Sequence, residues 1–219
     1  MLEPEMLRGV IFDMDGVLVL SEPFIARAAI QMFAEKGYTL EPDDFRPFIG
    51  TGEDRFIGGP AEARGIPMDP EKDKARTYAI YLDLIQGQLK PLPGVHEFIE
   101  RCREHKLKIA VASSADAIKV EGNLKEIGLP TSTFDAIVTG SDVTHKKPSP
   151  EIFQEAARRL GLDPSSCLVV EDAIAGVAAA KHAGARCLAL STSFTRDKLA
   201  DADWVVPDLS TAPREVLDW

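Results

Sequence analysis

At four places in the 219-residue chain, chemically active residues follow a short apolar run. Asp13 and Asp15 follow "VIF", with Gly16 next. Ser113 and Ser114 follow "KIAVA". Ser141, Asp142 and, a little later, Lys147 follow "AIVT". Glu171 and Asp172 follow "CLVV". Acidic residues and glycine are poor strand formers, so two carboxylates at the tip of a buried run need a reason other than folding. Carboxylates packed together repel one another and hold their protons more tightly. A bound divalent cation relieves that repulsion. An all-oxygen donor set with few carboxylates and room for water suits Mg²⁺. An adjacent lysine and serine hydroxyl suit a phosphate group, whose oxygens the metal and ammonium neutralise. One carboxylate can then attack phosphorus to form an aspartyl-phosphate. A second can protonate the leaving oxygen and later activate water. Two aspartates separated by a single residue could divide these roles.

The elements that must position these residues can be read from the hydrophobic pattern. Brief, β-branched apolar runs predict buried strands at Gly9–Phe12, Lys108–Ala112, Ala136–Thr139, Cys167–Val170, Arg186–Leu190 and Trp204–Val206. Helical patterns fill the gaps: Val95–His105, Asp116–Ile127, Pro150–Leu160 and Ala173–Ala183. Strands alternating with helices predict right-handed βαβ units, hence an α/β, doubly wound (Rossmann-like) parallel sheet core. Ligands of such sheets bind beyond the carboxyl ends of the strands. All four polar clusters lie at such ends. Residues 22–92 differ, with helical patterns at Phe24–Lys36 and Glu71–Gln86 and no strand run. They read as an all-helical insertion after the first strand, broken by "FIGTGEDRFIGGP", where Gly58 and Gly59 read as turns. "KPLPG" reads as the return linker. The expected division is 1–21 and 93–219 for the core and 22–92 for the insertion, with Ser21 and Pro93 near the hinges.

Taken singly, each cluster has a plainer explanation. A DxDG is commonly a turn, and "ASSA" a helix N-cap provided by Ser114 or Asp116. "KKP" reads as a solvated loop before a helix, and "ED" as an acidic first turn favoured by the helix dipole. Their convergence at consecutive strand tips favours a site. The four scattered histidines are expected to be surface or packing residues. Cys102, Cys167 and Cys187 have no metal-ligand spacing and are expected to be reduced and buried. A net charge of −10 argues against nucleic-acid and anionic-membrane partners. No apolar run approaches the roughly 20 residues of a membrane span, and no signal or transit peptide is evident. A cytoplasmic monomer is expected.

These motifs together resemble the haloacid dehalogenase superfamily, in particular its phosphatase and β-phosphoglucomutase-like branch, over essentially the whole chain. "FDMDGVL" implies Asp13 as nucleophile and Asp15 as general acid/base, with the Asp15 carbonyl on the metal. "IAVASSA" implies that Ser113 holds the phosphoryl group, helped by the backbone around Ser114 and Ala115. "KKPSPEIF" implies Lys147 as the charge-neutralising lysine, although Lys146 stands where the family usually has glycine. "VVEDAIAGVAAAKHAGA" implies Glu171 and Asp172 at Mg²⁺ together with Asp13 and Asp15. The insertion is similar to the family's small cap, whose loop dips toward substrate. Thr51, Gly52, Glu53 and Arg55 are therefore candidates for leaving-group selection.

The resemblance implies a Mg²⁺-dependent phosphatase of a small phosphorylated metabolite, a sugar phosphate or similar phosphomonoester. Asp15 favours phosphoryl chemistry over carbon–halogen cleavage. The alternative is a hexose-phosphate mutase. Such a mutase would be expected to have histidine twelve residues after the nucleophile, where this chain has Ile25. It would also carry arginine three residues after a cap glycine, where Glu53 follows Gly50. Another alternative is a catalytically silent regulatory module, against which the intact polar set argues. A dinucleotide-binding enzyme lacks its G-x-G-x-x-G here.

Overall fold

The computed structural model describes residues 6–48 and 52–219. Six strands form one sheet: β1 (Gly9–Phe12), β2 (Lys108–Ala112), β3 (Ala136–Val138), β4 (Cys167–Glu171), β5 (Arg186–Leu190) and β6 (Trp204–Val206). Their order is β3-β2-β1-β4-β5-β6, and every pair is parallel. This is the doubly wound α/β arrangement expected, with the order reversing between β1 and β4. Among the described residues there are eight α-helices. Five come between β1 and β2, the first four being α1 (Glu22–Glu35), α2 (Pro42–Phe45), α3 (Glu53–Ala63) and α4 (Pro70–Ile85). Four flank the sheet: α5 (Val95–Glu104), α6 (Ala117–Glu126), α7 (Glu151–Leu160) and α8 (Ile174–Ala183).

The apolar runs are continuous because both faces of the sheet are covered. Val10 and Phe12 of β1 join one buried cluster with Phe98 of α5 and Leu124 of α6, and that cluster continues into the insertion helices. Ile11 faces the other way, against Phe153 and Ala157 of α7. The chain leaves and re-enters the sheet at one place. Val19 bridges Pro91, and the Leu92 N–H donates to the Leu18 carbonyl at 2.9 Å. The three cysteines are free and buried, as expected.

One expectation fails. Gly58 and Gly59 are not turns but lie within α3, beside Pro60. A Cβ on Gly59 would come within 2.4 Å of the Phe48 ring, so glycine is what lets that ring pack on the helix. Glu171 also differs slightly from expectation: it ends β4 instead of following it.

Candidate active site

The strand tips are stitched together by backbone bonds. The Asp13 N–H donates to the Val170 carbonyl at 2.9 Å, and the Ser113 N–H to the Val138 carbonyl at 3.0 Å. Beyond them lies one pocket, lined by Asp13, Asp15, Ser113, Ser114, Ala115, Lys147, Glu171 and Asp172. Gly52 and Glu53 of the helical insertion line it from the other side, with Glu22, Ile25 and Phe56. Residues read from all four clusters therefore meet.

At the centre, the Lys147 ammonium donates to Asp13 Oδ1 and, at 2.6 Å, to Glu171 Oε1. The loop before α7 aims it there. The Glu151 carboxylate accepts the N–H groups of Thr144 and His145 at 2.7 and 2.9 Å, folding that loop onto the first turn of α7. Lys147 then lies over the Phe153 ring, 4.8 Å from its centroid. Burial works against its charge, but Asp13 and Glu171 outweigh that and hold the ammonium above its usual range. Burial pushes Asp13 upward, with Lys147 opposing and the Glu171 and Asp15 charges adding to the rise.

Glu171 is fully engaged. Its Oε1 meets Lys147, and its Oε2 accepts the N–H groups of Asp172 and Ala173 at 2.7 and 2.8 Å. Asp172 differs: its Oδ2 accepts hydroxyls of Ser193 and, at 3.5 Å, Thr192, and it makes no ion pair among the described residues. Burial raises its proton affinity first, and the charges of Glu171 and Asp13 raise it further. Gly16 makes this packing possible. Its φ is +78°, and a Cβ there would sit 1.9 Å from Asp172 Oδ2. No group of three or more His, Cys, Asp or Glu side chains is gathered as a metal centre among the described residues. Glu171 is turned onto Lys147, and Asp15 onto Ser21 and Lys119.

In the second cluster, Ser113 is buried and its Oγ accepts the Ala115 N–H at 3.2 Å. Asp116 is the N-cap residue of α6, yet its side chain makes no cap bond and pairs with Lys74. Lys146 also lines the pocket and donates to the Gly140 carbonyl.

The insertion candidates divide. Gly52 and Glu53 reach the pocket. Arg55 does not: it pairs with exposed Glu62 and lies 5.4 Å from the centroid of the Phe48 ring. Thr51 is outside the described residues. Two charged residues of the pocket, Glu22 and Lys119, belong to none of the four polar clusters or the insertion loop. Glu22 lines the cleft from the first turn of α1, and burial followed by the Asp15 charge pushes its carboxyl upward. Lys119, from the first turn of α6, is buried against Asp15 and Glu53. The available signal for Lys119 was its spacing, because Lys119 and Asn123 lie four apart on the face that buries Val120 and Leu124.

A family model for haloacid dehalogenase-like hydrolases matches residues 7–184. The chain belongs to that family of enzymes. Protein SUPPRESSOR OF QUENCHING 1, chloroplastic, from Arabidopsis thaliana is 47% identical over 200 residues, which is 89% of this chain. The match spans only 19% of that relative's length. Hexitol phosphatase B from Escherichia coli K12 is 30% identical over 192 residues, 84% of each chain. The crystal structure of CbbY from Rhodobacter sphaeroides in complex with phosphate superposes with a TM-score of 0.87 at 26% identity, covering 98% of this chain and 100% of that one. A mutant of that CbbY has been crystallised with xylulose-(1,5)bisphosphate. No described helix is long and apolar enough to cross a membrane.

Proposed function

We propose that this chain is a Mg²⁺-dependent phosphatase of a small phosphorylated metabolite, a sugar phosphate or similar phosphomonoester. The observation that carries the reading is the buried Lys147 ammonium shared by Asp13 and Glu171 in a pocket that also holds Ser113 and Asp172. The names of the relatives add support, being phosphatases and a phosphate-bound CbbY.

In this reading Ser113, the backbone about Ser114 and Ala115, and Lys147 hold the phosphoryl oxygens. An Asp13 oxygen attacks phosphorus, and the bond to the ester oxygen breaks. Asp15 gives that oxygen its proton. Asp15 then takes a proton from water, whose oxygen attacks phosphorus, and the bond to Asp13 breaks to release phosphate. The donor set fits Mg²⁺: Asp172 is a carboxylate whose proton affinity is raised first by burial and then by its acidic neighbours, and it lacks a cationic partner among the described residues. Asp13, Asp172 and the Asp15 carbonyl would hold the ion. Glu171, committed to Lys147 and two N–H groups, would orient them rather than bind directly. When bound, the ion neutralises charge on the phosphoryl oxygens.

Residues 22–92 form the cap in this reading, closing over the cleft and selecting the leaving group through Gly52 and Glu53. Ile25 and Glu53 on the pocket wall favour hydrolysis over a mutase, which must hold a second phosphate with cations. The test is phosphate release from a panel of sugar and polyol monophosphates, with Asp13→Asn as control. Asp13→Asn is expected to abolish turnover with the fold intact. Measurable turnover by that variant, deamidation excluded, removes Asp13 as nucleophile. Isomerisation of β-glucose 1-phosphate without net phosphate release would sink the phosphatase reading.

A further inference from the structure

Lys119 has no part in the chemistry above, yet it sits at the cleft with a side chain only 3% exposed. Burying an ammonium is costly unless it is paired. Its Nζ donates to Asp15 Oδ2 at 2.9 Å and to Glu53 Oε2 at 3.3 Å, and lies 5.9 Å from the centroid of the Tyr81 ring. The other oxygen of Asp15 accepts the Ser21 hydroxyl. Both Asp15 oxygens are therefore tied, each by a donor from a different element. A second ion pair between α4 and the sheet region, Lys74 with Asp116, sits farther out, with side chains 19% and 29% exposed. It touches none of the residues assigned to the chemistry.

We propose that Lys119 is the positioning residue for Asp15, holding its carboxylate in the one orientation that reaches the leaving oxygen, with Glu53 as the second counter-charge that lets the lysine stay buried. Asp15 follows a strand tip and precedes the turn at Gly16, and its side chain is 23% exposed. Without Lys119 the Ser21 hydroxyl holds one oxygen alone, and the other oxygen is free to swing. General acid–base transfer needs hydrogen-bond reach, and a misplacement of about 1 Å costs roughly 100-fold. The proposal rests on the acid–base role assigned to Asp15.

The test is a double-mutant cycle on the Mg²⁺-loaded full chain, following kcat and KM for the best sugar monophosphate of the panel. Lys119→Met is expected to lower kcat by about 10- to 100-fold, with little change in KM. In an Asp15→Asn background the same change is expected to cost nothing more. Losses that multiply instead, or a Lys119→Met kcat within about twofold of the parent, overturn the proposal, because a merely structural lysine acts independently of Asp15. If Lys119→Met does not fold, Lys119→Leu, which also removes the donor, replaces it in the cycle with the same expected coupling. Parent-like turnover by Asp15→Asn alone overturns the acid–base assignment, and the proposal with it. That outcome is separate from any result of the Lys119 variants.

Discussion

Replacing Lys147 by methionine tests the centre of the site through stability as well as rate. The methionine keeps an apolar stem against Phe153 and removes only the ammonium. Asp13 and Glu171, 11% and 1% exposed, then lose their shared cation. Removing one partner of a buried ion pair typically costs about 3–5 kcal/mol. Glu171 keeps two backbone N–H bonds, which places the estimate near the lower end, about 3 kcal/mol. For a chain of this size each kcal/mol shifts Tm by about 2–4 °C, so calorimetry without metal should show a fall of about 6–12 °C. Phosphate release should fall by about 100-fold or more, as when a donor to a developing oxyanion is deleted. Excess Mg²⁺ should restore more stability to the variant than to the parent, because the two carboxylates await a cation. A Tm loss under about 2 °C would refute the claim that this ammonium carries two buried carboxylates.

Gly16→Ala should raise the Mg²⁺ concentration needed for half-maximal activation, by about tenfold or more, since its Cβ must displace the Asp172 carboxylate. Titrating activity against Mg²⁺ checks this, and an unchanged midpoint would separate Asp172 from the metal. At the surface, Arg158 and then Arg159 draw the Glu155 carboxyl down from 4.5 to about 2. A depressed folded pKa stabilises the chain above the unfolded value and stops doing so as pH falls through the folded one. Glu155→Gln should therefore narrow the gap in Tm between pH 7 and pH 3, and an unchanged gap counts against the pair.

The strands were legible because a sheet covered on both faces demands unbroken apolar runs, and β1, β2, β5 and β6 match their predicted bounds. The rim was legible because parallel strands aim their carboxyl ends one way, so residues more than 130 positions apart in sequence, such as Asp13 and Lys147, could be assigned to one place. Helix α3 was not legible. Its glycine pair and proline are usual breakers, and what overrides them is a tertiary contact, the Phe48 ring against Gly59. Arg55 misled because its position near the insertion's glycines says nothing of its direction, which Glu62 and Phe48 settle. Lys119 was missed because its partner Asp15 lies 104 residues away, and a lysine in an amphipathic helix ordinarily faces water.

The ion pairs also show why one carboxylate stands apart. Of the four at the tips of β1 and β4, Asp13 and Glu171 share Lys147, and Asp15 is held by Lys119. Among the described residues, Asp172 has hydroxyl partners alone. Two lysines thus neutralise the cluster unevenly, leaving Asp172 without a cation beside Asp13, the proposed nucleophile. An external cation gains most at Asp172, because its neighbours are already paired and the pocket is partly shielded from water. In the proposed reading, the protein's own ammonium groups would therefore favour Asp172 as the place for a metal. On this reasoning the Lys147 and Asp172 substitutions should not act independently: removing the lysine should partly transfer the cation's benefit from Asp172 to Asp13.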